Sequence, residues 1–283
     1  MSNLDHDNME KKLRDASYLP NQEIATIAKL SIKLNKPILI EGPPGTGKTS
    51  LASALANVLQ TELYRIQCFE GITSEQIIGE FNYQKQLIQI ELSKQDPQKT
   101  ADIFTHDYFI ARPLLRAMQE SKSIVLLIDE IDRADEEFEA FLLEALGEQQ
   151  ITIPELGTIK AKSQPVIIMT SNGTRDLSGA LRRRSLYLAL DYPDRLREMD
   201  IIRVHIPELE EQLVERIIDI IRRIRRNDQI TQPPSVSESI EFAKTISLMG
   251  ADYLEPPRLN ELLGLLVKNS GDLKALETQL NNL

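Results

Sequence analysis

A glycine-rich segment constrains this chain more than any other feature. It fits the pattern G-x-x-x-x-G-K-[ST] and reads Gly42-Pro43-Pro44-Gly45-Thr46-Gly47-Lys48-Thr49. An apolar run at 37–41 precedes it and helix-forming residues at 51–56 follow it, so it joins a buried strand to a helix. Glycines there let backbone N–H groups and the positive end of the helix approach an anion. The segment predicts a phosphate-binding loop on a parallel sheet.

Each part of this loop has a predicted role. The residues expected to adopt positive φ angles are Gly42, Gly45 and Gly47. We expect Lys48 to reach the β- and γ-phosphates and the Thr49 hydroxyl to bind Mg²⁺, and the predicted nucleotide-binding set runs on to Ser50. The alternative, a Gly/Pro surface turn that carries a lysine, leaves the flanking strand and helix unexplained.

The composition excludes several classes of protein. There are 33 Lys and Arg residues against 43 Asp and Glu residues, and the formal net charge of -10 disfavours a surface built to coat DNA or RNA. Cys68 is the single cysteine, so an intramolecular disulfide is excluded, and we interpret Cys68, His106 and His205 as structural. No secretory signal is visible, and the apolar runs are shorter than the roughly 20 residues that cross a bilayer. We expect a cytoplasmic protein without membrane insertion, whose metal arrives with the nucleotide.

The order of strand and helix patterns predicts the fold class. Residues 1–20 form a polar N-terminal segment, and the charged composition of the first fifteen or so is typical of disordered chains. Residues 21–190 alternate helical patterns with apolar runs at 62–68, 124–128, 166–170 and 186–190, and 151–160 has a hairpin signature. This predicts an α/β P-loop domain with a parallel sheet. Residues 191–283 show no convincing strand and predict a small all-helical lid domain.

Three segments raise more specific expectations. Residues 71–116 mix glycines, an alternating apolar stretch and Pro97, and they predict an insertion. Residues 136–146 repeat apolar positions at helical spacing, and Gly147 is the predicted C-cap that ends this helix. Residues 213–224 carry an apolar stripe whose helix has a basic opposite side, interpreted as solvated or subunit-facing. That side consists of Arg222, Arg223, Arg225 and Arg226.

Two carboxylates predict hydrolysis rather than binding alone. Asp129 and Glu130 follow the apolar run at 124–128, so both face the crevice at the carboxyl end of that strand. We expect Asp129 to hold Mg²⁺ opposite Thr49, and Glu130 to activate the attacking water as general base. Asn172 ends the next strand, where its amide can orient the same water, although Asn-Gly is equally a common turn dipeptide.

Arginines supply the predicted positive charge for a transferring phosphoryl group. Arg182, Arg183 and Arg184 form a cationic cluster at the start of the last predicted strand. Arg258, in the helical domain, is a further candidate to contact the γ-phosphate. A solvated basic turn is the alternative interpretation of the cluster.

These features, in this order, resemble an AAA+ ATPase over nearly the whole chain. The segments LLIDEIDRA at 126–134 and LEALGEQQ at 143–150 resemble the MoxR family, and IPELGT at 153–158 with residues 182–193 resembles its CoxD-like members. The resemblance implies that Asn172 is the sensor 1 residue, that Arg184 is the arginine finger with Arg183 as its rival, and that Arg258 is the sensor 2 arginine. It also implies that residues 71–116 are the helix-2 insert and residues 150–160 the pre-sensor hairpin.

The implied function is that of a MoxR-type AAA+ ATPase, a hexameric homo-oligomeric ring that hydrolyses ATP with Mg²⁺ to remodel or mature a client protein. The CoxD-like features imply chaperone-like insertion of a metal cofactor into a client metalloenzyme, beside a partner with a von Willebrand factor A domain. A nucleic-acid remodelling AAA+ ATPase, such as a helicase loader, is the alternative, which the acidic composition disfavours. A P-loop kinase fits poorly because Glu130 suits activation of water. ATP and GTP both remain open as the nucleotide.

Overall fold

The chain forms two compact units. The computed structural model describes residues 6–95 and 102–280, so residues 1–5 of the predicted N-terminal segment, 96–101 of the predicted insertion and 281–283 lie outside the described residues. The first unit contains the chain up to Glu41 together with Thr49–Ala189, and the second contains Gly42–Lys48 together with the chain from Leu190. The predicted phosphate loop therefore groups with the C-terminal unit, which no sequence pattern indicated.

A five-stranded parallel sheet forms the centre of the first unit. The strands of the chain are β1 (Ile38–Glu41), β2 (Leu63–Gln67), β3 (Gly79–Phe81), β4 (Phe109–Ala111), β5 (Val125–Asp129), β6 (Gln150–Ile153), β7 (Gly157–Lys160), β8 (Val166–Ser171) and β9 (Leu186–Ala189). The order in the sheet is β2-β5-β8-β1-β9, while β3–β4 and β6–β7 are separate antiparallel hairpins. Strands β5 and β8 are buried along their whole length, as expected of a parallel sheet covered on both faces. The predicted α/β class is confirmed.

Helices surround the sheet and make up the second unit. In the first unit they are α1 (His6–Asp15), α2 (Gln22–Leu34), α3 (Lys48–Leu59, whose first residue groups with the second unit), α4 (Ser74–Ile78), α5 (Tyr83–Gln95), α6 (Pro113–Gln119), α7 (Glu136–Glu148) and α8 (Gly179–Arg184). In the second they are α9 (Arg195–His205), α10 (Glu211–Arg225), α11 (Val236–Met249), α12 (Arg258–Leu266) and α13 (Ser270–Leu280). None of the described helices has the length and apolar character needed to cross a membrane.

Local sequence explains where several helices begin and end. The Asn21 side chain caps α2 by accepting a hydrogen bond from the Ile24 N–H at 2.7 Å, and Asn35 ends the helix in the left-handed conformation. Ser235 and Glu238 form a capping box at the start of α11. The stripe of α10 lies in the core of the second unit, as the sequence predicts, and its buried residues are Val214, Ile217, Ile218, Ile221 and Ile224.

The structure corrects two local expectations. The charged start of the chain is not disordered throughout, because His6–Asp15 forms α1, whose Met9 and Leu13 are fully buried. Two apolar residues four positions apart are enough to give this otherwise polar helix a packing face. Gly147 does not end α7; the helix continues to Glu148, and Gln149 adopts the left-handed conformation with φ 54°.

The predicted insertion at 71–116 has its own secondary structure. It contains α4, β3, α5 and β4 and runs into α6, which begins at Pro113. Gly79 is required at the start of β3, because a Cβ there would lie 2.3 Å from the Phe109 ring. The ring of Phe81 packs edge-on against those of Phe104 and Phe109.

One arginine of the basic cluster on α10 is not solvated. Arg225 donates hydrogen bonds of 2.7 and 2.8 Å to both carboxylate oxygens of Glu198, whose side chain is fully buried. Ser239 donates a further hydrogen bond to Glu198 at 2.9 Å, and the Arg225 guanidinium stacks on Tyr192. A buried carboxylate is tolerated only when it is paired in this way.

We expect Arg225→Leu to lower the free energy of unfolding of the second unit by about 3–5 kcal/mol, because Glu198 would be left as an uncompensated buried charge. Arg223→Leu, at an exposed position of the same helix, is the matched control and should change stability little. Denaturant unfolding followed by circular dichroism measures both. Replacing Glu198 and Arg225 together by Leu should recover much of the loss, and equal losses in the Arg225 and Arg223 variants would contradict the assignment.

Candidate nucleotide site

The phosphate loop has the backbone that its glycines were expected to provide, with one correction. Gly45 and Gly47 adopt positive φ angles of 71° and 91°. Gly42 does not; it is required for space, because a Cβ there would lie 1.9 Å from the Leu190 carbonyl oxygen. The positive φ angles at Gly45 and Gly47 and the lack of space at Gly42 all disfavour a side chain, so the backbone explains the three glycines of the motif.

Lys48 is the buried centre of this loop. Its ammonium group donates hydrogen bonds to the carbonyl oxygens of Gly42 at 2.6 Å and Pro43 at 2.8 Å. The Thr46 hydroxyl donates to the same Pro43 oxygen at 2.9 Å. The loop carbonyl oxygens therefore surround the Lys48 ammonium group at the start of α3. The dipole of this helix also favours an anion at its N-terminus.

Asp129 is the last residue of β5 and is buried among hydroxyl groups. The Thr49 hydroxyl lies 3.3 and 3.4 Å from its two carboxylate oxygens, and the Thr170 hydroxyl, on β8, donates to Oδ1. The Asp129 carboxylate and the Thr49 hydroxyl are oxygen ligands of the kind that Mg²⁺ prefers, whereas the Thr170 hydroxyl is engaged with Asp129 and the Glu130 N–H. The residues present therefore fit a magnesium ion, and Thr49 and Asp129 are the two that the sequence predicts.

Glu130 has an unusual backbone. It adopts the left-handed conformation with φ 55°, which is uncommon outside glycine, asparagine and aspartate. Its N–H donates to the Thr170 hydroxyl at 2.9 Å, and the Asn172 side-chain amide donates to its carboxylate at 3.3 Å. The structure thus brings Glu130 and Asn172 together, as the sequence predicts. Conformations of this kind concentrate at functional sites.

Three residues that contact Asp129 and Glu130 were not predicted from the sequence. Arg65 and Gln67 belong to β2, and Arg133 lies in the turn after β5. The guanidinium of Arg65 lies 2.5 Å from Asp129 Oδ2, and Gln67 donates to Glu130 Oε2 at 3.0 Å. Arg133 pairs with the same Glu130 oxygen at 2.9 Å. Strand β2 pairs with β5 in a register that places Gln67 opposite Asp129. Only that pairing identifies Arg65 and Gln67 as site residues.

A second buried carboxylate holds the segment that carries Asn172. Asp132 accepts hydrogen bonds from the backbone N–H groups of Asn172 at 3.2 Å and Thr174 at 3.0 Å, and from the Thr174 hydroxyl at 2.7 Å. Burial favours a higher pKa for Asp132, but these hydrogen bonds outweigh it and the pKa is lowered. The residue stays ionised and fixes the turn after β8.

The arginine cluster lies in a helix rather than at the start of a strand. All three residues belong to the last turn of α8, before β9. Arg182 pairs with Glu41 at 3.0 Å within the first unit, whereas Arg183 and Arg184 are exposed, and no ion pair of either is seen in the described part of the chain. Arg184 contacts the Leu143 carbonyl oxygen at 3.4 Å.

Arg258 and Cys68 complete the set of predicted residues. Arg258 is the exposed first residue of α12, 3.5 Å from Asp252 and over the Tyr253 ring. Its part in the site stays a prediction. Burial, with further contributions from Asp129, Asp132 and Glu130, raises the pKa of the Cys68 thiol to about 12, so the thiol stays protonated at neutral pH.

Known proteins resemble this chain in sequence and in fold. The family model described as "AAA domain (dynein-related subfamily)" matches residues 37–185. An uncharacterized protein of Staphylococcus epidermidis is 30% identical over 243 residues, which cover 81% of this chain and 85% of the relative. An uncharacterized protein of Staphylococcus haemolyticus is 28% identical over 239 residues, with the same two coverages.

A solved structure supports the fold. A mutant of RuvB from Thermotoga maritima superposes with a TM-score of 0.53 at 19% identity, covering 92% of this chain and 70% of the RuvB chain. That likeness concerns the arrangement of strands and helices alone. The family model spans the phosphate loop, the acidic pair, Asn172 and the arginine cluster. The chain belongs to the AAA domain family, in its dynein-related subfamily.

Proposed function

We propose that this chain binds ATP with Mg²⁺ and hydrolyses it. One observation carries the proposal: Glu130, with its strained backbone, lies in hydrogen-bond reach of Asn172 at the end of the strand where Asp129 meets the Thr49 hydroxyl. A phosphate loop alone explains binding. A carboxylate and an amide placed together after β5 and β8 supply what activation of a water molecule requires.

The residues divide the chemistry between them. Lys48 and the N–H groups of the loop hold the phosphates, and the Glu130 carboxylate accepts the proton of the attacking water while Asn172 orients that water. Thr49 and Asp129 would hold Mg²⁺, which supplies neutralising charge to the phosphate oxygens when bound. Arg65 forms an ion pair with Asp129 Oδ2 and Arg133 with Glu130 Oε2, so each carboxylate has a guanidinium on one of its oxygens.

The proposal extends to a ring. Arg182 is occupied within its own chain, so Arg184, with Arg183 as its rival, is the guanidinium available to a neighbouring subunit. A contact in which each subunit offers arginine to the next is heterologous and closes into a ring when the rotation permits. We propose a hexamer, by resemblance to AAA+ proteins, with Arg258 as the sensor 2 residue of each subunit.

The proposed output is mechanical work on a client protein. The MoxR-like and CoxD-like segments support a chaperone-like role in the cytoplasm, with a von Willebrand factor A domain partner and a client metalloenzyme. Inserting a buried cofactor requires the client to open against several kcal/mol of its native stability, which repeated hydrolysis can drive. The β6–β7 hairpin, whose Pro154 and Glu155 are exposed, is the proposed contact with that client.

Binding and turnover should separate in two variants. Lys48→Ala should weaken ATP binding by about tenfold or more, because a charge-assisted contact with phosphate is lost. Glu130→Gln should retain ATP affinity and lose about 10²–10⁴-fold in kcat. Calorimetric titration and a phosphate-release assay measure the two properties, with Glu137→Gln, on the exposed side of α7, as the matched control. Turnover at the parent rate in Glu130→Gln would overturn the assignment of the general base.

Mixed rings should show that Arg184 acts on a neighbour. Arg184→Ala subunits keep their own acidic pair, and Glu130→Gln subunits keep their arginine, so co-assembly should restore part of the hydrolysis that each lacks alone. Mass spectrometry verifies the mixed rings before phosphate release is measured. If verified mixed rings recover nothing, Arg183 or an arginine acting within one chain takes the role.

The hairpin should matter for client stimulation but not for basal hydrolysis. Leu156 packs against the core of the first unit, so the sharper test keeps it and replaces only Pro154 and Glu155 by Ser. We expect basal turnover to persist and stimulation by the partner or client to be lost, as in a full deletion of the tip. A strain lacking the protein should accumulate its client enzyme folded but deficient in metal. Normal metal content in every metalloenzyme of that strain would contradict the maturation role.

A further inference from the structure

A groove separates the two hairpins of the first unit. It has a volume of about 680 Å³ and is lined by residues of β3 and β6, together with residues of α4 and α7. Its lining includes Gly79, Glu80 and Phe81 from β3 and the whole of Gln150–Ile153 from β6. Side chains of a strand alternate between its faces, so a run of consecutive lining residues means that the edge of the strand, not one face, borders the groove.

The backbone of β6 presents unpaired polar groups at this edge. The Ala161 N–H donates to the Gln149 carbonyl oxygen at 2.7 Å, which makes these two a hydrogen-bonded pair of the β6–β7 ladder. Hydrogen-bonded and non-hydrogen-bonded pairs alternate along an antiparallel ladder. The N–H and C=O groups of Gln150 and Thr152 therefore point away from β7. Within the described residues β6 has no second neighbour in its sheet.

Strand β3 has the same arrangement. The Asn82 N–H donates to the Tyr108 carbonyl oxygen at 2.7 Å, so the alternation turns the polar groups of Gly79 and Phe81 away from β4. The Gly79 N–H donates to the Glu75 carbonyl oxygen of α4, which leaves the Gly79 C=O and both groups of Phe81 at the edge. No third strand joins β3 in the part of the chain that the structure describes. Two open strand edges thus border one groove, and an exposed edge is a template for an added strand.

The side chains of the groove combine an apolar lining with negative charge. Aromatic rings from four elements line it, namely Phe81, Tyr83, Phe109 and Phe141. Its carboxylates are Glu75, Glu80, Glu144 and Glu155, and among the residues that the structure describes no lysine or arginine lines it. Glu80 is paired with Arg112 at 2.6 Å, but Glu144 and Glu155 are exposed, and neither forms an ion pair in the described chain. A positively charged occupant complements this surface.

We propose that this groove binds an extended, positively charged segment of a partner protein, which adds as a strand between β3 and β6. Main-chain hydrogen bonds to the two edges supply affinity, the aromatic rings take apolar side chains, and the carboxylates select lysine or arginine at the alternate positions. This inference rests on the proposed function, because the partner is the client or adaptor on which the ATPase acts. It names the chemistry by which that protein is recognised.

Short labelled peptides test the groove on the full chain. A peptide that alternates Lys with Val should bind at low salt, as measured by fluorescence anisotropy, and a matched Glu–Val peptide should not. Glu144→Lys/Glu155→Lys should weaken binding of the Lys–Val peptide by about tenfold or more, because attraction becomes repulsion. Glu208→Lys/Glu241→Lys changes the net charge equally at exposed positions of the second unit and should leave binding unchanged.

A second probe tests strand addition itself. A Lys–Val peptide N-methylated at every second residue loses the donors on one edge and should bind about tenfold or more weakly. Equal binding of the methylated peptide, equal binding of the Glu–Val peptide, or equal losses in the two double variants would each overturn the proposal. So would a groove variant that changes only the oligomeric state, since a second copy of the chain would then fill the groove.

The peptide assay needs no nucleotide, so it fails independently of the proposed function. Binding of the Lys–Val peptide by a chain that does not hydrolyse ATP would support the groove and contradict the ATPase. Hydrolysis at normal rates with no peptide bound would contradict the groove alone. The groove variants alter no residue of the nucleotide site, so their basal turnover should match that of the parent.

Discussion

A single buried hydroxyl group holds the acidic pair in place. Thr170 Oγ1 donates its proton to Asp129 and accepts the N–H of Glu130, so one oxygen atom on β8 fixes a side chain and a backbone at the end of β5. A hydroxyl has one proton to give, and because the Glu130 N–H can only donate, the Thr170 proton goes to the Asp129 carboxylate oxygen. The parallel pairing of β5 with β8 brings the three groups into reach.

The same dependence on strand pairing explains what the sequence could and could not predict. Local patterns identify the phosphate loop, Asp129, Glu130 and Asn172, because each follows an apolar run. Such a run or motif can be recognised within a single short segment of sequence. Arg65 and Gln67 belong to the site because β2 lies beside β5, and Asp132 because it reaches the turn after β8. These relations join residues about forty to sixty positions apart, and no local pattern records them.

The insertion shows a different limit. Helix α5 buries a polar side chain and exposes apolar ones. Gln86 is buried, and its side-chain amide donates to the Ile103 carbonyl oxygen at 2.8 Å. Leu87, Ile88 and Leu92 of the same helix are exposed. A helix is predicted from apolar spacing on the assumption that the apolar side chains face the core, so this segment is not recognised as a helix from its sequence. Likewise α1 is polar except for Met9 and Leu13, and its composition hides the two residues that pack. In both segments tertiary contacts, not composition, determine the structure.

The left-handed backbone of Glu130 makes glutamate an unfavourable residue for stability at a position where its carboxylate is needed for the proposed reaction. Glycine and asparagine adopt this conformation with less strain than glutamate, so the fold by itself would favour either of them there. A chain selected only for resistance to heat would tend to lose this carboxylate, and with it the general base of the proposed reaction. The carboxylate that the proposed hydrolysis requires therefore occupies a position where glycine would relieve backbone strain but remove that carboxylate.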